Sequence, residues 1–196
     1  MSNKNSNEIT VKVICDKEQL IKILLEQGFE EVRKFSLDDY YYIPKNIDLS
    51  SMSTRDIIAN AIIIRYIIDD GKIVQKITFK EKKIDNNGDI LEQSSLNCDI
   101  LNIEDAKRIF KAIGYFEIMN IKENDVVYSK NGFELALKFI EKGDLLIEIE
   151  TEENTKWDTI DKIKNILEEI NLPIEKNNFF VKKAEIELNK VLKING

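Results

Sequence analysis

Histidine is absent from all 196 residues. That removes Ser-His-Asp and Cys-His triads, histidine-ligated zinc and imidazole acid–base catalysis. Cysteine is scarce, with Cys15 and Cys98 the only two. Two cysteines make neither a disulfide framework nor a structural zinc site, and they read as small apolar fillers. A reducing, cytoplasmic setting is the simplest expectation. Long hydrophobic runs are missing too. The most apolar stretch, Ile57 to Ile68, is interrupted by Asn60 and Arg65 and is too short to span a bilayer. The start of the chain is polar, without the apolar core of a signal peptide, and residues 1–7 are expected to be disordered. Positive charge is not in excess: 29 basic against 36 acidic side chains give −7. That argues against nucleic acid or an anionic membrane as partner, while leaving room for a local basic cavity. Any catalysis must rest on carboxylates, lysine, arginine, tyrosine or a bound metal.

Apolar residues make up 43% of the chain and charged residues 33%, the balance of a globular protein. Residues 1–196 are expected to form a single domain. Four segments read as helices. Asp16 caps the first, with Gln19 three residues on and Gly28 closing it; Leu20, Ile21, Leu24 and Leu25 share one face. Asn102 caps the second, whose stripe is Ile103, Ala106, Ile109, Phe110 and Ile113. The third spans about Thr155 to Ile170, with Trp157 in phase with its apolar stripe. The fourth spans about Phe180 to Leu192, with a stripe suited to core packing or a dimer contact.

The rest alternates like strands: Glu8–Ile14, Glu30–Ile43, Ala61–Ile68, Lys72–Lys82, Ile90–Asn97, Tyr115–Lys122, Asp125–Ser129, Phe133–Glu141 and Leu145–Thr151. Asp69-Asp70-Gly71, Asn86-Asn87-Gly88 and Lys130-Asn131-Gly132 are hairpin signals, and Lys45–Thr54 reads as a polar loop. Strands joined by hairpins make a largely antiparallel sheet, so the class is α+β. One helix at the midpoint suggests two sheet-forming halves.

Most strands carry one apolar and one charged face. Glu8, Thr10 and Lys12 oppose Ile9, Val11 and Val13. Lys76, Thr78 and Lys80 oppose Ile77 and Phe79. Glu134 and Lys138 oppose Leu135, Leu137 and Phe139; Glu148 and Glu150 oppose Ile147 and Ile149. Arg65 shares a face with Ile63 and Ile67, and Asn120, Lys122 and Asn124 align. Two readings fit this pattern. An open sheet would turn its charged face to water. A closed or nearly closed antiparallel barrel, with helices packed outside, would turn it inward. Interior charge is costly unless paired or offered a ligand. Lysines, arginine and glutamates together suit a polyanion and its divalent cation.

In this order of motifs the sequence resembles the CYTH, or triphosphate tunnel metalloenzyme, family, which includes class IV adenylyl cyclases, thiamine triphosphatases and inorganic triphosphatases. The family's Glu-x-Glu-x-Lys strand is similar to Glu8-Ile9-Thr10-Val11-Lys12. Its helix and Leu-Gly-Phe turn resemble Leu25-Glu26-Gln27-Gly28-Phe29, and its aspartate- and tyrosine-rich strand resembles Asp38-Asp39-Tyr40-Tyr41-Tyr42. Ala61-Ile62-Ile63-Ile64-Arg65, Thr78-Phe79-Lys80, Lys122-Glu123-Asn124 and Glu148-Ile149-Glu150 match later motifs in order. The resemblance covers about residues 8 to 170. It implies a tunnel with Lys12, Arg65, Lys80 and Lys122 on phosphate and Glu8, Glu148 and Glu150 on Mg2+ or Mn2+. Lys76 joins the phosphate group by strand parity. Lys138 stands where the family often has aspartate; it could contact phosphate or neutralise Glu148 or Glu150. Thr10, Ile63 and Asn124 also depart from the pattern, removing one carboxylate and two arginines.

Two functions follow as expectations. One is divalent-metal-dependent processing of a triphosphate-bearing substrate, by hydrolysis or adenylyl cyclase-type chemistry. The other is binding of a phosphorylated metabolite or nucleotide without turnover. The expected partner is a small polyphosphate-bearing molecule, and the chain would be a monomer or homodimer.

Overall fold

The computed structural model describes residues 6–84, 90–152, 156, 157 and 159–195. Its elements in chain order are β1 (Ser6–Lys12), α1 (Lys17–Glu26), β2 (Glu30–Pro44), α2 (Thr54–Ala59), β3 (Ile62–Asp69), β4 (Lys72–Ile84), β5 (Ile90–Asp99), α3 (Ile103–Ala112), β6 (Tyr115–Lys130), β7 (Phe133–Ile140), β8 (Leu145–Glu152), α4 (Ile160–Ile170) and α5 (Lys183–Asn195). A short 3-10 turn, Leu49–Ser51, precedes α2. Hydrogen bonds join the eight strands in the order β1-β8-β7-β6-β2-β3-β4-β5. The pairs β1–β8, β3–β4, β4–β5, β6–β7 and β7–β8 are antiparallel. The class is α+β, as the hairpin-rich sequence implies. Strands β1 and β5 end the order, so among the described residues hydrogen bonds do not close the sheet.

Local signals explain the elements. Asp16 Oδ1 accepts the Gln19 amide at 2.8 Å, and Asn102 Oδ1 accepts those of Glu104 and Asp105 at 2.8 and 3.1 Å. Both are N-caps that satisfy amides a helix start leaves orphaned. The β3–β4 hairpin turns at Asp70 and Gly71 (φ 49° and 73°), and the β6–β7 hairpin at Asn131 and Gly132 (φ 52° and 80°). Two consecutive positive φ angles make the turn whose twist matches the strands. The Asn86-Asn87-Gly88 signal and residues 1–5 of the expected disordered tail lie outside the described residues, while Ser6 and Asn7 open β1.

Three differences from the sequence expectation have local causes. Helix α2 arises where only a loop and its aftermath were expected: Ser53 caps the Asp56 amide at 3.2 Å, and its hydroxyl donates to the Asp56 carboxylate at 2.6 Å. Six residues are too few to show a helical period, yet Ile57 and Ile58 are buried. Strand β6 is continuous where two strands were expected, because the polar run at Lys122-Glu123-Asn124 is paired structure and not a break. Helix α4 begins at Ile160, capped by Thr159, and the expected start at about residue 155 lies outside the described residues.

The chain forms two compact units. The first comprises Met1–Phe35 and Glu123–Lys182, the second Ser36–Lys122 and Lys183–Gly196. In the first, Ile9, Val11, Leu135, Leu137, Ile147 and Ile149 from the sheet pack with Leu20 and Leu24 of α1 and Ile163 and Leu167 of α4. Trp157 meets Phe133 edge-on at 5.1 Å, which makes it a core residue. The outer edge of β1 is covered: Thr10 donates to the Phe179 carbonyl at 3.1 Å, and the Val181 amide donates to Thr10 at 2.9 Å. In the second unit, Tyr42 and Ile64 pack with Ala106 and Phe110 of α3. No helix among the described residues is long and apolar enough to cross a membrane. Replacing Asn102 by Ala removes the α3 cap and is expected to lower unfolding free energy by about 1 kcal/mol, read by urea denaturation.

Candidate functional site

The second unit builds a row of ions across neighbouring strands. Leu37, Asp39, Tyr41 and Ile43 alternate on the buried face of β2. Arg65 donates to Asp39 through Nε and Nη2, both at 2.6 Å, a two-point fork on a carboxylate only 1% exposed. In the β3–β4 register Arg65 lies directly opposite Lys76, and in β4–β5 Lys76 lies opposite Asp99. Two cations therefore face each other across one strand pair, an arrangement that costs free energy. Burial first, and then the Arg65 guanidinium, push the Lys76 ammonium below its ordinary value; Asp39 and Asp99 pull the other way. Two residues along β4, Thr78 is buried and donates to Asn97 Oδ1 at 2.9 Å. Lys80 follows on the same face, opposite Ser95.

Lys122 is placed differently. It lies on the same side of β6 as Asn120, half exposed, with Nζ 3.9 Å from Asp38 Oδ2. Asn120 also donates to Asp38 and to the Asp39 carbonyl. Asp38 alternates with Asp39 on β2, so Lys122 shares the strand face opposite to that of Asp39 and Arg65. That opposite face carries α3: Lys107 sits 3.4 Å above the Tyr40 ring, and the Tyr42 hydroxyl donates to Glu117 at 3.0 Å. A cavity of about 360 Å³ opens there, lined by Tyr42, Tyr115, Lys45, Lys107, Lys111 and Glu117 among others. It belongs to the α3 side and is separate from the Arg65 row.

The first unit gathers the acidic residues. Lys138 is 5% exposed and sits opposite Asp125 in the β6–β7 register. Its ammonium donates to Asp125 Oδ2 at 2.9 Å and lies 3.2 Å from Glu148 Oε1 and 3.8 Å from Glu123 Oε1. Burial alone would lower the Lys138 value, but Glu148, Glu123 and Asp125 together raise it. Beside it, Thr10 faces Glu148 and Glu8 faces Glu150 across β1–β8. Lys12 pairs with Asp144 at 2.9 Å, and that hydrogen bond raises its ammonium value.

A divalent ion wants several oxygen donors converging at about 2.0–2.6 Å. Among the described residues no three acidic or cysteine side chains are arranged that way. Glu148 instead faces the Lys138 ammonium, so the carboxylates as they stand do not fit a metal ion there.

Sequence reading missed Asp39, Glu123 and Asp125. A parity signal for the latter two exists: Met119, Ile121, Glu123 and Asp125 alternate on one buried face of β6. The aligned set Asn120, Lys122 and Asn124 is the exposed face. Asp39 alternates with Leu37, Tyr41 and Ile43, and an acid on that buried face calls for a cation. Replacing Asp39 by Ala leaves Arg65 and Lys76 without their shared counter-charge. The expected loss is roughly 3–5 kcal/mol of unfolding free energy, the range for breaking a buried ion pair, read by chemical denaturation.

No family model matches the chain. A Methanocaldococcus jannaschii protein named "Putative adenylate cyclase MJ0240" is 28% identical over 185 residues, 92% of this chain and 97% of that protein. PH1819 from Pyrococcus horikoshii has a similar fold, with a TM-score of 0.68 at 21% identity over 94% of this chain and 99% of that one. So has HpAC1 from Hippeastrum, described as a putative adenylyl cyclase with a dominant triphosphatase activity, with a TM-score of 0.57 at 14% identity over 95% and 96%. The motif order along the sequence, the near full-length relative and the shared fold together support a relationship of this chain to the CYTH family.

Proposed function

We propose that the chain binds a triphosphate-bearing small molecule, a nucleotide or an inorganic polyphosphate, in the manner of adenylyl cyclase- and triphosphatase-type CYTH proteins. The Arg65–Lys76 opposition carries this reading. Two cations held face to face, one with its charge disfavoured by burial, gain from an anion placed between them. Lys80 extends the same face along β4. Thr78 adds a buried hydroxyl.

Metal-dependent turnover is the second reading. The direct opposition of Glu8 and Glu150 favours it, because like charges across an antiparallel pair favour a bridging cation. Under it, Mg2+ or Mn2+ would strengthen polyphosphate binding.

Calorimetric titration with tripolyphosphate, with and without Mg2+, separates the two. The expected outcome is binding without Mg2+ that weakens about tenfold in Lys76→Met, the loss of one charge-assisted contact. Folding lowers the Lys76 value, so its charged form costs stability below that value, and the cost disappears as pH rises through it. A bound polyanion favours the charged form instead. At pH above the lowered Lys76 value, binding should therefore weaken, take up protons and give a heat that depends on the buffer; below it, binding should take up none. Strengthening by Mg2+ would favour turnover; no binding in either condition would overturn the proposal.

A further inference from the structure

Lys138 is buried at the centre of an acidic set that the phosphate-binding reading does not use. The set is assembled by three strands of the first unit: Glu123 and Asp125 from β6, Lys138 from β7 and Glu148 from β8. Register places them on one face. Asp125 is opposite Lys138, and Glu148 is opposite Ala136, two residues from Lys138 on the same side of β7. Glu123 and Asp125 are 2% and 1% exposed, and Glu148 keeps an edge in solvent at 27%.

An ammonium group has three N–H donors and no acceptor. Here it has three carboxylate neighbours, at 2.9, 3.2 and 3.8 Å. One N–H donates to Asp125, and the Glu148 and Glu123 oxygens stand around the rest of the ammonium, so its close neighbours are carboxylates. Two buried carboxylates without a cation would be expensive. A divalent ion and an ammonium are alternative answers to that cost, and they would compete for the same space.

We infer that the Lys138 ammonium is the resident cation of the Glu123–Asp125–Glu148 set, standing where a divalent ion would otherwise be held, so that in this chain the set takes no divalent metal. It follows that removing the ammonium turns the set into a divalent-cation site. Oxygen donors from Glu123, Asp125 and Glu148 are the hard ligands such an ion prefers.

The test is titration of the full chain with Mn2+ alone, by calorimetry, in a phosphate-free buffer. The parent and Glu148→Gln are expected to give the same isotherm, and Lys138→Ala to gain a site at least about tenfold tighter than any in the parent. Mn2+ binding in the parent that disappears in Glu148→Gln would overturn the inference. So would a folded Lys138→Ala whose isotherm equals that of the parent. If Lys138→Ala is unfolded without metal, recovery of the native circular dichroism spectrum on adding Mn2+ supports the inference, and no recovery overturns it. No polyphosphate is present, so failure here leaves the phosphate-binding reading standing.

Discussion

Desolvation of charge on the sheet is the constraint on which the rest of the structure depends. A strand needs one apolar face to make a core, and this chain supplies it with Ile9, Val11, Leu135, Leu137, Ile147 and Ile149. The other face carries ions. Where that face is also shielded, each ion must be matched by a counter-charge or by a ligand. Lys138, Asp125, Glu123 and Asp39 are all at most 5% exposed. Strand register sets Asp125 opposite Lys138, and Asp39 is matched by the two-point fork of Arg65. A one-residue slip would send the ions into the apolar layer, so register and ion pairing are fixed together.

The two units arrange their ions differently. In the first, three carboxylates lie around the Lys138 ammonium. In the second, Arg65 and Lys76 meet across a strand pair, and Asp39 commits both of its oxygens to the guanidinium. The opposition of Arg65 and Lys76 is what a bound anion would relieve, whereas a carboxylate that already faces lysine, as Glu148 does, is not what a metal ion needs.

Much of this was legible in sequence because strand parity is a strict rule. Alternation placed Lys76, Thr78 and Lys80 on one face and Glu8, Thr10 and Lys12 on another, and the turn residues fixed two of the hairpins. The order of short motifs gave the fold relationship. Parity failed on β6 for a physical reason. Its buried face changes from Met119 and Ile121 to Glu123 and Asp125, so hydrophobicity no longer marks which side is covered. The exposed Lys122 was then the more visible ion. Asp39 was hidden in the same way, by standing beside Asp38, whose side chain points to the other face. Only the partner reveals which acid is buried: Arg65 for Asp39, Lys138 for Asp125.

Under the proposed anion-binding reading, the chemistry of the cations on this face sets the kind of recognition the second unit would perform. A guanidinium reads phosphate by geometry, through paired donors in a plane. Arg65 spends one such pair on Asp39, which fixes its orientation, and Ile63 stands one alternation away on the same face where a second guanidinium would add another pair. The other cations on that face, Lys76 and Lys80, are ammonium groups, which attract as point charges with little angular preference. Affinity at such a face grows with the number of negative charges presented and depends weakly on how they are arranged. Longer polyphosphate chains would then gain over a single phosphate because they carry more charge, and discrimination among molecules of equal charge would have to come from contacts outside the Arg65–Lys76 row.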